Sequence, residues 1–195
     1  MPPSDSPEYS AADQLMARLA RSLDDAGLPY VVIGGQAVIQ HGYSRSTLDV
    51  DFTISVGFDR FTDVVQHLNA SGIQPRFEQD EQAILLSQIY FGYHAGLEVR
   101  ADFSFVDAPY LKLAIQRATL HEIENQLVRF LSLEDLLIHK MLASRKQDIA
   151  DVDQLLKLHN DVDHAEVERW LGEYEPLVEK PLIAQYRELR QQAES

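Results

Sequence analysis

The chain contains 195 residues, with 17 Lys and Arg against 31 Asp and Glu, which gives a formal net charge of −14. This charge excludes a general nucleic-acid-binding surface and attraction to anionic membranes, because both require clustered cations. A content of 45% hydrophobic and 25% charged residues is typical of a globular protein, and no apolar run approaches the roughly 20 residues of a membrane helix. Cysteine is absent and the N-terminus has no secretory pattern, so we predict a cytoplasmic protein.

The first part of the chain predicts alternating helices and strands after a loose tail at residues 1–9. Ser10 is the expected N-cap of the first helix, with Asp13 as its capping-box partner. Apolar periodicity and glycine stops then predict elements in the following order. They are a helix ending near residue 27, a strand at 29–33, a short helix at 36–41, a strand at 48–54, a helix at 58–69, and a hairpin of strands at 83–93 and 97–106.

The second part of the chain becomes predominantly helical. A helix at 109–117 and a last strand at 126–131 precede Ser132, which is a predicted N-cap. Helical patterns then cover 132–144, 147–159, 165–174 and about 177–190, with Pro181 expected to begin or kink the last helix. We therefore predict an α/β (α+β) core at 10–131, with a small mixed sheet flanked by helices, and a C-terminal helical region at 132–195.

Three aspartates on predicted strands are the strongest candidates for chemistry. Asp49 and Asp51 lie two residues apart in an alternating strand, so their carboxylates share one face, and Asp102 occupies the polar face of a later strand. Neighbouring carboxylates repel each other unless a cation or proton neutralises them, and Mg²⁺ prefers such oxygen ligands together with substrate phosphates. Gly34 and Gly35, which end an earlier strand, would let the backbone approach a polyphosphate closely.

Each of these features also has a plain structural explanation. Paired glycines after a strand often form only a turn, and alternating aspartates often mark the solvated face of a half-buried sheet. Asp102 could simply pair with Arg100 at the surface. The combination favours a functional site, because residue order, element type and side-chain facing agree.

With these residues the sequence resembles the DNA polymerase beta-type nucleotidyltransferase superfamily, and more closely the AbiEii-like group of small bacterial nucleotidyltransferases. The resemblance covers roughly residues 30–156, and Gln36 stands where many superfamily members have serine. The matching positions are Gly34-Gly35, His41-Gly42, Arg45, Thr47, Asp49, Asp51, Asp102, Glu134-Asp135-Leu136, Lys140, Arg145, Gln147-Asp148 and Asp151.

The resemblance implies a nucleotidyltransferase sheet and a metal-dependent enzyme that uses a nucleoside triphosphate. Asp49, Asp51 and Asp102 would hold Mg²⁺ (or Mn²⁺), and Asp102 would help to activate an acceptor hydroxyl on RNA, a protein or a small molecule. Members of the AbiEii-like group include toxins, so a toxin-like role with a cognate antitoxin as partner is a further expectation. The residues expected to bind nucleotide or phosphate are Gly34, Gly35, Arg45, Thr47 and Lys140.

Lys140 also draws attention without the family, because it falls on the apolar stripe of its predicted helix. A lysine at such a position either extends its stem to solvent or places its ammonium against an anion, and the resemblance favours a triphosphate. Arg45 could hold phosphate or pair with an aspartate. Asp148 and Asp151, on one helix face, could orient Lys140, or they could cap or bridge helices.

A different class of function is kept open. The chain could retain the fold without catalysis and act by binding a nucleotide or a protein partner. The presence of Asp49, Asp51 and Asp102 argues against this alternative, because loss of a metal ligand would be its expected sign.

Overall fold

The computed structural model describes residues 9–194, and within this range the chain forms nine α-helices and a seven-stranded mixed sheet. The helices are α1 (Ala11–Asp25), α2 (Gly34–Gln40), α3 (Phe61–Ala70), α4 (Glu81–Ser87), α5 (Pro109–Gln116), α6 (Leu133–Ala143), α7 (Lys146–Leu158), α8 (His164–Val178) and α9 (Leu182–Ala193). A 3₁₀ turn at Phe58–Arg60 leads into α3.

The strands are β1 (Tyr30–Ile33), β2 (Asp49–Ile54), β3 (Gln74–Pro75), β4 (Ile89–His94), β5 (Val99–Phe105), β6 (Thr119–Ile123) and β7 (Gln126–Phe130). Their order in the sheet is β3-β4-β5-β2-β1-β7-β6. β2 pairs parallel with β5 and antiparallel with β1, and β1 pairs parallel with β7. The predicted mixed α/β fold with a helical C-terminal region is confirmed.

The two faces of the central strands differ in chemistry, as their alternation predicts. Phe52 and Phe103 are fully buried and stack with ring centroids 5.7 Å apart, on the face that α1 and α3 cover. Asp49 and Asp51 lie on the opposite face of β2, and Asp102 lies on the same face of β5. Packing on the apolar face therefore helps to fix the register of the strands, and the polar face carries the candidate site.

The capping signals at the two main helix starts are confirmed. Ser10 accepts a hydrogen bond from the Asp13 amide, and the Asp13 carboxylate accepts one from the Ser10 amide. Ser132 accepts from the Asp135 amide at the start of α6. Of the predicted tail, residues 1–8 lie outside the described residues, and the Tyr9 carbonyl accepts a 3.3 Å hydrogen bond from the Gln14 side chain.

Two of the predicted elements need correction, and two strands were missed. The predicted strand at 83–93 is wrong in its first half, because Asp80 caps α4 by accepting from the Ala83 amide, and the strand begins only at Ile89. The short helix begins at Gly34, two residues before the predicted start, so both glycines belong to its first turn. Strands β3 and β6 were not predicted, because each depends on pairing with a neighbouring strand.

Candidate functional site

Strand register brings the three predicted carboxylates together. Asp51 lies directly opposite Asp102 in the parallel pair of β2 and β5, and opposite Ile33 in the antiparallel pair of β2 and β1. Asp49 is two residues earlier on the same face. Two central strands therefore present three acidic side chains to the same side of the sheet, next to the point where β1 ends and α2 begins.

The electrostatics of this carboxylate cluster (Asp49, Asp51 and Asp102) are those of a site with an excess of negative charge. Burial, the Asp102 carboxylate and the Asp49 carboxylate together raise the pKa of Asp51 from 3.8 to about 6. Burial also raises the pKa of Asp102, against the opposing effect of Arg76. A bound cation would relieve both effects, because it favours the ionised form of each carboxylate.

Two arginines that the sequence analysis did not assign to the site lie beside the cluster. Arg76 Nη1 is 3.4 Å from Asp102 Oδ1, and Arg100 Nη1 is 3.7 Å from Asp49 Oδ1. Neither contact is a hydrogen bond, and within residues 9–194 these two buried oxygens have no hydrogen-bond partner. The ion pair of Arg100 is thus with Asp49 and not with Asp102, as the structural alternative for Asp102 would require, and nothing in the sequence near Arg76 pointed to Asp102.

The carboxylate cluster has the donors that Mg²⁺ prefers, with two oxygens that protein donors leave unbonded. Its side chains are not, however, arranged as a complete metal site. Across the described part of the chain, no group of three or more His, Asp or Glu side chains is positioned to hold a metal ion. The carboxylate oxygens are therefore suitable ligands for Mg²⁺, and the strand positions place them on one face. The three side chains are not arranged around a common metal position in this structure.

The paired glycines pack closely against the site. Gly34 has φ +68°, and a Cβ atom at this position would lie 2.0 Å from Asp51 Oδ2. A Cβ at Gly35 would lie 2.8 Å from Thr47 Oγ1 and 2.9 Å from Arg45 Nη2. Glycine is thus required at residue 34 both by its backbone conformation and by Asp51, and at residue 35 by the loop that precedes β2.

Gln36 and Thr47 hold the beginning of β2. The Gln36 amide and the Thr47 hydroxyl each donate to the Asp49 carbonyl at 3.4 Å. Gln36 is buried, so this residue, which replaces the more common serine, has a structural partner of its own. Thr47 lies next to Gly35 as its predicted role requires, and a contact of Thr47 with phosphate stays a prediction.

Lys140 and its neighbours form a buried network of four charges, which we call the ion-pair network. Lys140 Nζ donates to Asp148 Oδ1 at 2.9 Å and to Asp151 Oδ2 at 2.8 Å. Arg45 Nε lies 3.1 Å from Asp151 Oδ1, and Gln147 donates to the same oxygen at 3.0 Å. Lys140 and Asp151 are 4% and 0% exposed, so these charges depend on each other rather than on water.

The ion-pair network joins α6 and α7 to the loop before β2. Of the alternatives stated for Arg45, the structure contains the pairing with an aspartate. Lys140 is oriented by Asp148 and Asp151, while the electrostatic effect of its ammonium lowers the pKa of Asp51. Contacts of Lys140 and Arg45 with a triphosphate stay predictions, and burial of Lys140 removes it from any basic surface patch.

Arg145 is a further cation that acts on the site. This residue is exposed, immediately precedes α7, and lowers the pKa of Asp51 through its charge. It belonged to the matching pattern but not to the predicted site residues. Its position after the Lys140 helix was the sequence signal that could have identified it.

Two other positions of the pattern have structural roles. His41 Nε2 is 2.8 Å from the Leu131 carbonyl, and His159 Nε2 is 2.8 Å from the His41 carbonyl, so His41 connects α2 to the end of β7 and to α7. Asp135 is fully buried and accepts hydrogen bonds from Arg117, Tyr110 and Ser132. These residues support the frame around the site.

Cavities differ in their relation to the carboxylate cluster. A cavity of about 590 Å³ lies between α1 and α3, includes none of the site residues, and is on the opposite face of the sheet. A second cavity, of about 230 Å³, is lined by Ile33, Thr53 and Ser104 and therefore adjoins the cluster along β1, β2 and β5. No helix within residues 9–194 has the length and apolar character needed to cross a membrane.

Solved structures share this fold at low sequence identity. An antigenic nucleotidyltransferase-like protein from Paracoccidioides brasiliensis is 22% identical, with 91% of this chain and 92% of that chain covered and a TM-score of 0.55. JHP933 from Helicobacter pylori is 16% identical, with 97% and 92% covered and a TM-score of 0.52. The lincosamide antibiotic adenylyltransferase LnuA, bound to lincomycin, is 14% identical, with 75% and 97% covered and a TM-score of 0.52.

Comparison at the level of sequence gives the family. A search of curated proteins found no match. The family described as "Nucleotidyltransferase of unknown function (DUF6036)" matches residues 8–191, which is nearly the whole chain. The nucleotidyltransferase superfamily inferred from the glycine pair and the three aspartates is thereby confirmed, and the chain belongs to this nucleotidyltransferase family.

Proposed function

We propose that the protein is an Mg²⁺-dependent nucleotidyltransferase that moves a nucleoside monophosphate from a nucleoside triphosphate to an acceptor hydroxyl. The observation that carries this proposal is the register of β2 and β5, which sets Asp51 opposite Asp102 with Asp49 on the same face. The raised pKa of Asp51 supports it, because burial and the neighbouring Asp102 and Asp49 carboxylates disfavour the ionised form, which a bound cation would favour. The fold shared with LnuA, an adenylyltransferase bound to lincomycin, is consistent with it.

Asp49, Asp51 and Asp102 would hold Mg²⁺ (or Mn²⁺), which would neutralise phosphate charge when bound. Asp102 would accept the proton of the attacking hydroxyl. The acceptor oxygen forms a bond to the α-phosphorus, the bond from that phosphorus to the bridging oxygen of the β-phosphate breaks, and pyrophosphate leaves with the electron pair. Lys140 and Arg145, whose charges act on Asp51, and Arg45, which lies beside Gly35, would attract the triphosphate. Positioning and charge neutralisation would then provide most of the catalysis.

The test uses purified protein, each labelled nucleoside triphosphate and Mg²⁺. We expect triphosphate-dependent stabilisation and pyrophosphate release, and we expect both to be lost in the double variant Asp49→Ala/Asp51→Ala. Asp63→Ala is the matched control, because Asp63 is an exposed carboxylate on α3, which covers the opposite face of the sheet. Stabilisation and release that persist in the double variant contradict the proposed site.

A wild-type protein that binds no triphosphate would favour the non-catalytic alternative, in which the fold serves partner binding. The AbiEii-like resemblance extends the proposal to a toxin-like role in the cytoplasm with an antitoxin as partner. If the protein has this role, its expression in bacteria should arrest growth. Expression of the Asp49→Ala/Asp51→Ala variant should not. Equal arrest by both proteins would contradict a nucleotidyl-transfer toxin.

A further inference from the structure

The polar face of the sheet has a cationic end and an uncharged end. Near the start of β2, Arg100 lies beside Asp49, and Arg45 lies beside Gly35 and the ion-pair network. In the other direction along β2 and β5, the residues on the same face are Thr53 and Ser104, which are register partners. They lie one strand repeat, roughly 7 Å, beyond Asp51 and Asp102.

Helix α6 separates the charged network from the cavity by its faces. Lys140 donates to Asp148 and Asp151, whereas Asp135, His139 and Leu142, spaced four and three residues apart, line the cavity on one face of the helix. Asp135 is the one charged residue among the described residues that line this cavity, and its carboxylate is already bonded to Arg117, Tyr110 and Ser132. No Lys or Arg from the described chain lines the cavity.

The cavity, which we call the uncharged cavity, has a volume of about 230 Å³ and lies between the sheet and helices α5, α6 and α8. Its apolar walls include Val106, Leu111, Leu131 and Leu142, and the aromatic rings of Tyr110 and Tyr174 also line it. The volume corresponds to about eight water molecules in the liquid, at roughly 30 Å³ each. It is below the 300–1,000 Å³ or so of pockets for drug-sized ligands, so it suits a small group.

Several polar side chains in the wall of the uncharged cavity make no hydrogen bond within the described part of the chain. Within residues 9–194, the side chains of Thr53, Ser104 and His139 make no hydrogen bond, although Thr53 is only 6% exposed. Burial, together with the positive charges of Lys140 and Arg145, lowers the pKa of His139 to about 4, so its ring is neutral near pH 7 and can both donate and accept. A mainly apolar cavity with a few free polar groups is the usual form of a small-ligand site.

The geometry of phosphoryl transfer indicates which substrate group lies at each end of the polar face. The attacking and leaving oxygens lie roughly in line across the phosphorus. Pyrophosphate carries the larger negative charge and is favoured at the end where the cations lie. An acceptor on the opposite side of the carboxylate cluster would then approach from the uncharged cavity, whose described lining contains no Lys or Arg.

We propose that the uncharged cavity binds the acceptor, and that the acceptor is a small, uncharged, mainly apolar alcohol rather than the end of an RNA chain. This inference rests on the proposed nucleotidyl transfer. An RNA end carries phosphates close to its terminal hydroxyl, and the cavity has neither the cations nor the volume for them. Thr53, Ser104 and His139 are the groups that would bond the polar part of the acceptor.

The experiment uses benzyl alcohol as an uncharged probe and benzoate as its anionic counterpart, with binding measured by ligand-detected NMR and calorimetry. We expect benzyl alcohol to bind the wild-type protein with a Kd on the order of millimolar, and benzoate at least tenfold more weakly. Leu142→Trp, which fills the cavity, should weaken benzyl alcohol binding at least tenfold. Leu158→Trp makes the same change at an exposed leucine of α7 and should leave binding unchanged.

A second variant preserves shape. Thr53→Val combined with His139→Leu removes two free polar groups and should weaken benzyl alcohol binding by about fivefold to tenfold, while circular dichroism reports an unchanged fold. With triphosphate and Mg²⁺ present, benzyl alcohol should accelerate pyrophosphate release by the wild-type protein. Equal binding of benzyl alcohol to wild type and Leu142→Trp, or no acceleration of release, would overturn the assignment.

The triphosphate is measured separately in the same variants. We expect Leu142→Trp to bind a non-hydrolysable triphosphate analogue within twofold of wild type. If this affinity falls while tripolyphosphate still binds normally, the cavity holds the nucleobase and the assignment to the acceptor is wrong. Absence of triphosphate binding in the wild type overturns the proposed function together with this inference, whereas normal triphosphate binding without alcohol binding overturns the inference alone.

Discussion

The molecule contains two groups of aspartates whose electrostatic states differ, a buried group in the ion-pair network and a half-buried group on the sheet. In the ion-pair network, Asp148 and Asp151 share contacts with Lys140 and Arg45, so two negative and two positive charges balance. In the carboxylate cluster, three acidic side chains share one face of the sheet, and two of their buried oxygens have no hydrogen bond within residues 9–194.

This difference separates a structural use of charge from the metal-binding use that we propose for the carboxylate cluster. A buried aspartate with a full set of donors holds elements together, and its removal leaves cations without a partner. A buried aspartate next to like charge destabilises the fold and retains capacity for a ligand, which is the pattern expected where strain supports function. The two groups are close enough that Lys140, a member of the network, lowers the pKa of Asp51 in the cluster.

The largest effect should come from breaking the balanced network. Asp151→Ala removes the carboxylate that Arg45 contacts and leaves Lys140 with Asp148 alone, and we expect a loss of about 3–5 kcal/mol in the free energy of unfolding, measured by urea denaturation. Asp153→Ala is the matched control on the same helix, because it removes an i,i+4 pair with Lys157 whose expected value is about 0.3–0.5 kcal/mol. Similar losses in the two variants would contradict the structural role of the network.

The carboxylate cluster should respond in the opposite direction. A pKa of about 6 for Asp51 against the ordinary 3.8 means that the folded state binds more protons between these pH values, so stability decreases as the pH rises through this window. In Mg²⁺-free buffer, Asp51→Asn should therefore become more stable than wild type above pH 6, by up to about 3 kcal/mol. The measurement is the difference between the two unfolding free energies from pH 4 to pH 7, and a constant difference would refute the assignment.

Mg²⁺ should reduce the electrostatic difference between the carboxylate cluster and the ion-pair network by neutralising the cluster. A cation that binds the folded cluster and not the unfolded chain stabilises the protein by about 2.7 kcal/mol at one hundred times its Kd. Thermal unfolding with and without Mg²⁺, at matched ionic strength, checks this expectation. The Asp49→Ala/Asp51→Ala variant should show no such shift, and Asp151→Ala, if folded, should retain it.

The smallest effect should come from the backbone beside the cluster. Gly34→Ala places a methyl group 2.0 Å from Asp51 Oδ2 and strains a positive φ, and we expect a loss of about 1–3 kcal/mol. Gly27→Ala has a similar φ of +62° with no atom within 4 Å of the new methyl, so it measures the backbone strain alone. A larger loss for Gly34→Ala would confirm the contact with Asp51, and equal losses would disprove it.

Sequence reasoning succeeded where local pattern decides structure. Alternation along residues 48–54 placed Asp49 and Asp51 on one face, and the Ser10 and Ser132 caps identified two helix starts. It failed where a distant partner decides structure. The strand predicted from residue 83 is a helix up to Ser87, because the Asp80 cap outweighed a short apolar run that also suits a strand.

The candidate site shows the same limit. The polar character of residues 49, 51 and 102 was readable from the strands, whereas the direct opposition of Asp51 and Asp102 required the parallel pairing of β2 and β5. Arg76 reaches Asp102 from β3–β4 loop sequence that carries no motif, and no local pattern could predict that contact. From the sequence, Arg45 could bind a phosphate or pair with an aspartate. Only the fold identified that aspartate as Asp151.

The separation of Arg45 and Asp151 by 106 positions has a consequence for biosynthesis. A ribosome that adds about 5–20 residues per second needs roughly 5–20 seconds to reach Asp151 after Arg45 has been made. During that interval the strands of the sheet are made while the Arg45 guanidinium still lacks the Asp151 carboxylate. For most of the same interval Lys140 has not been made either. The ion-pair network is therefore completed late in translation, after the strands that carry the three aspartates have been made.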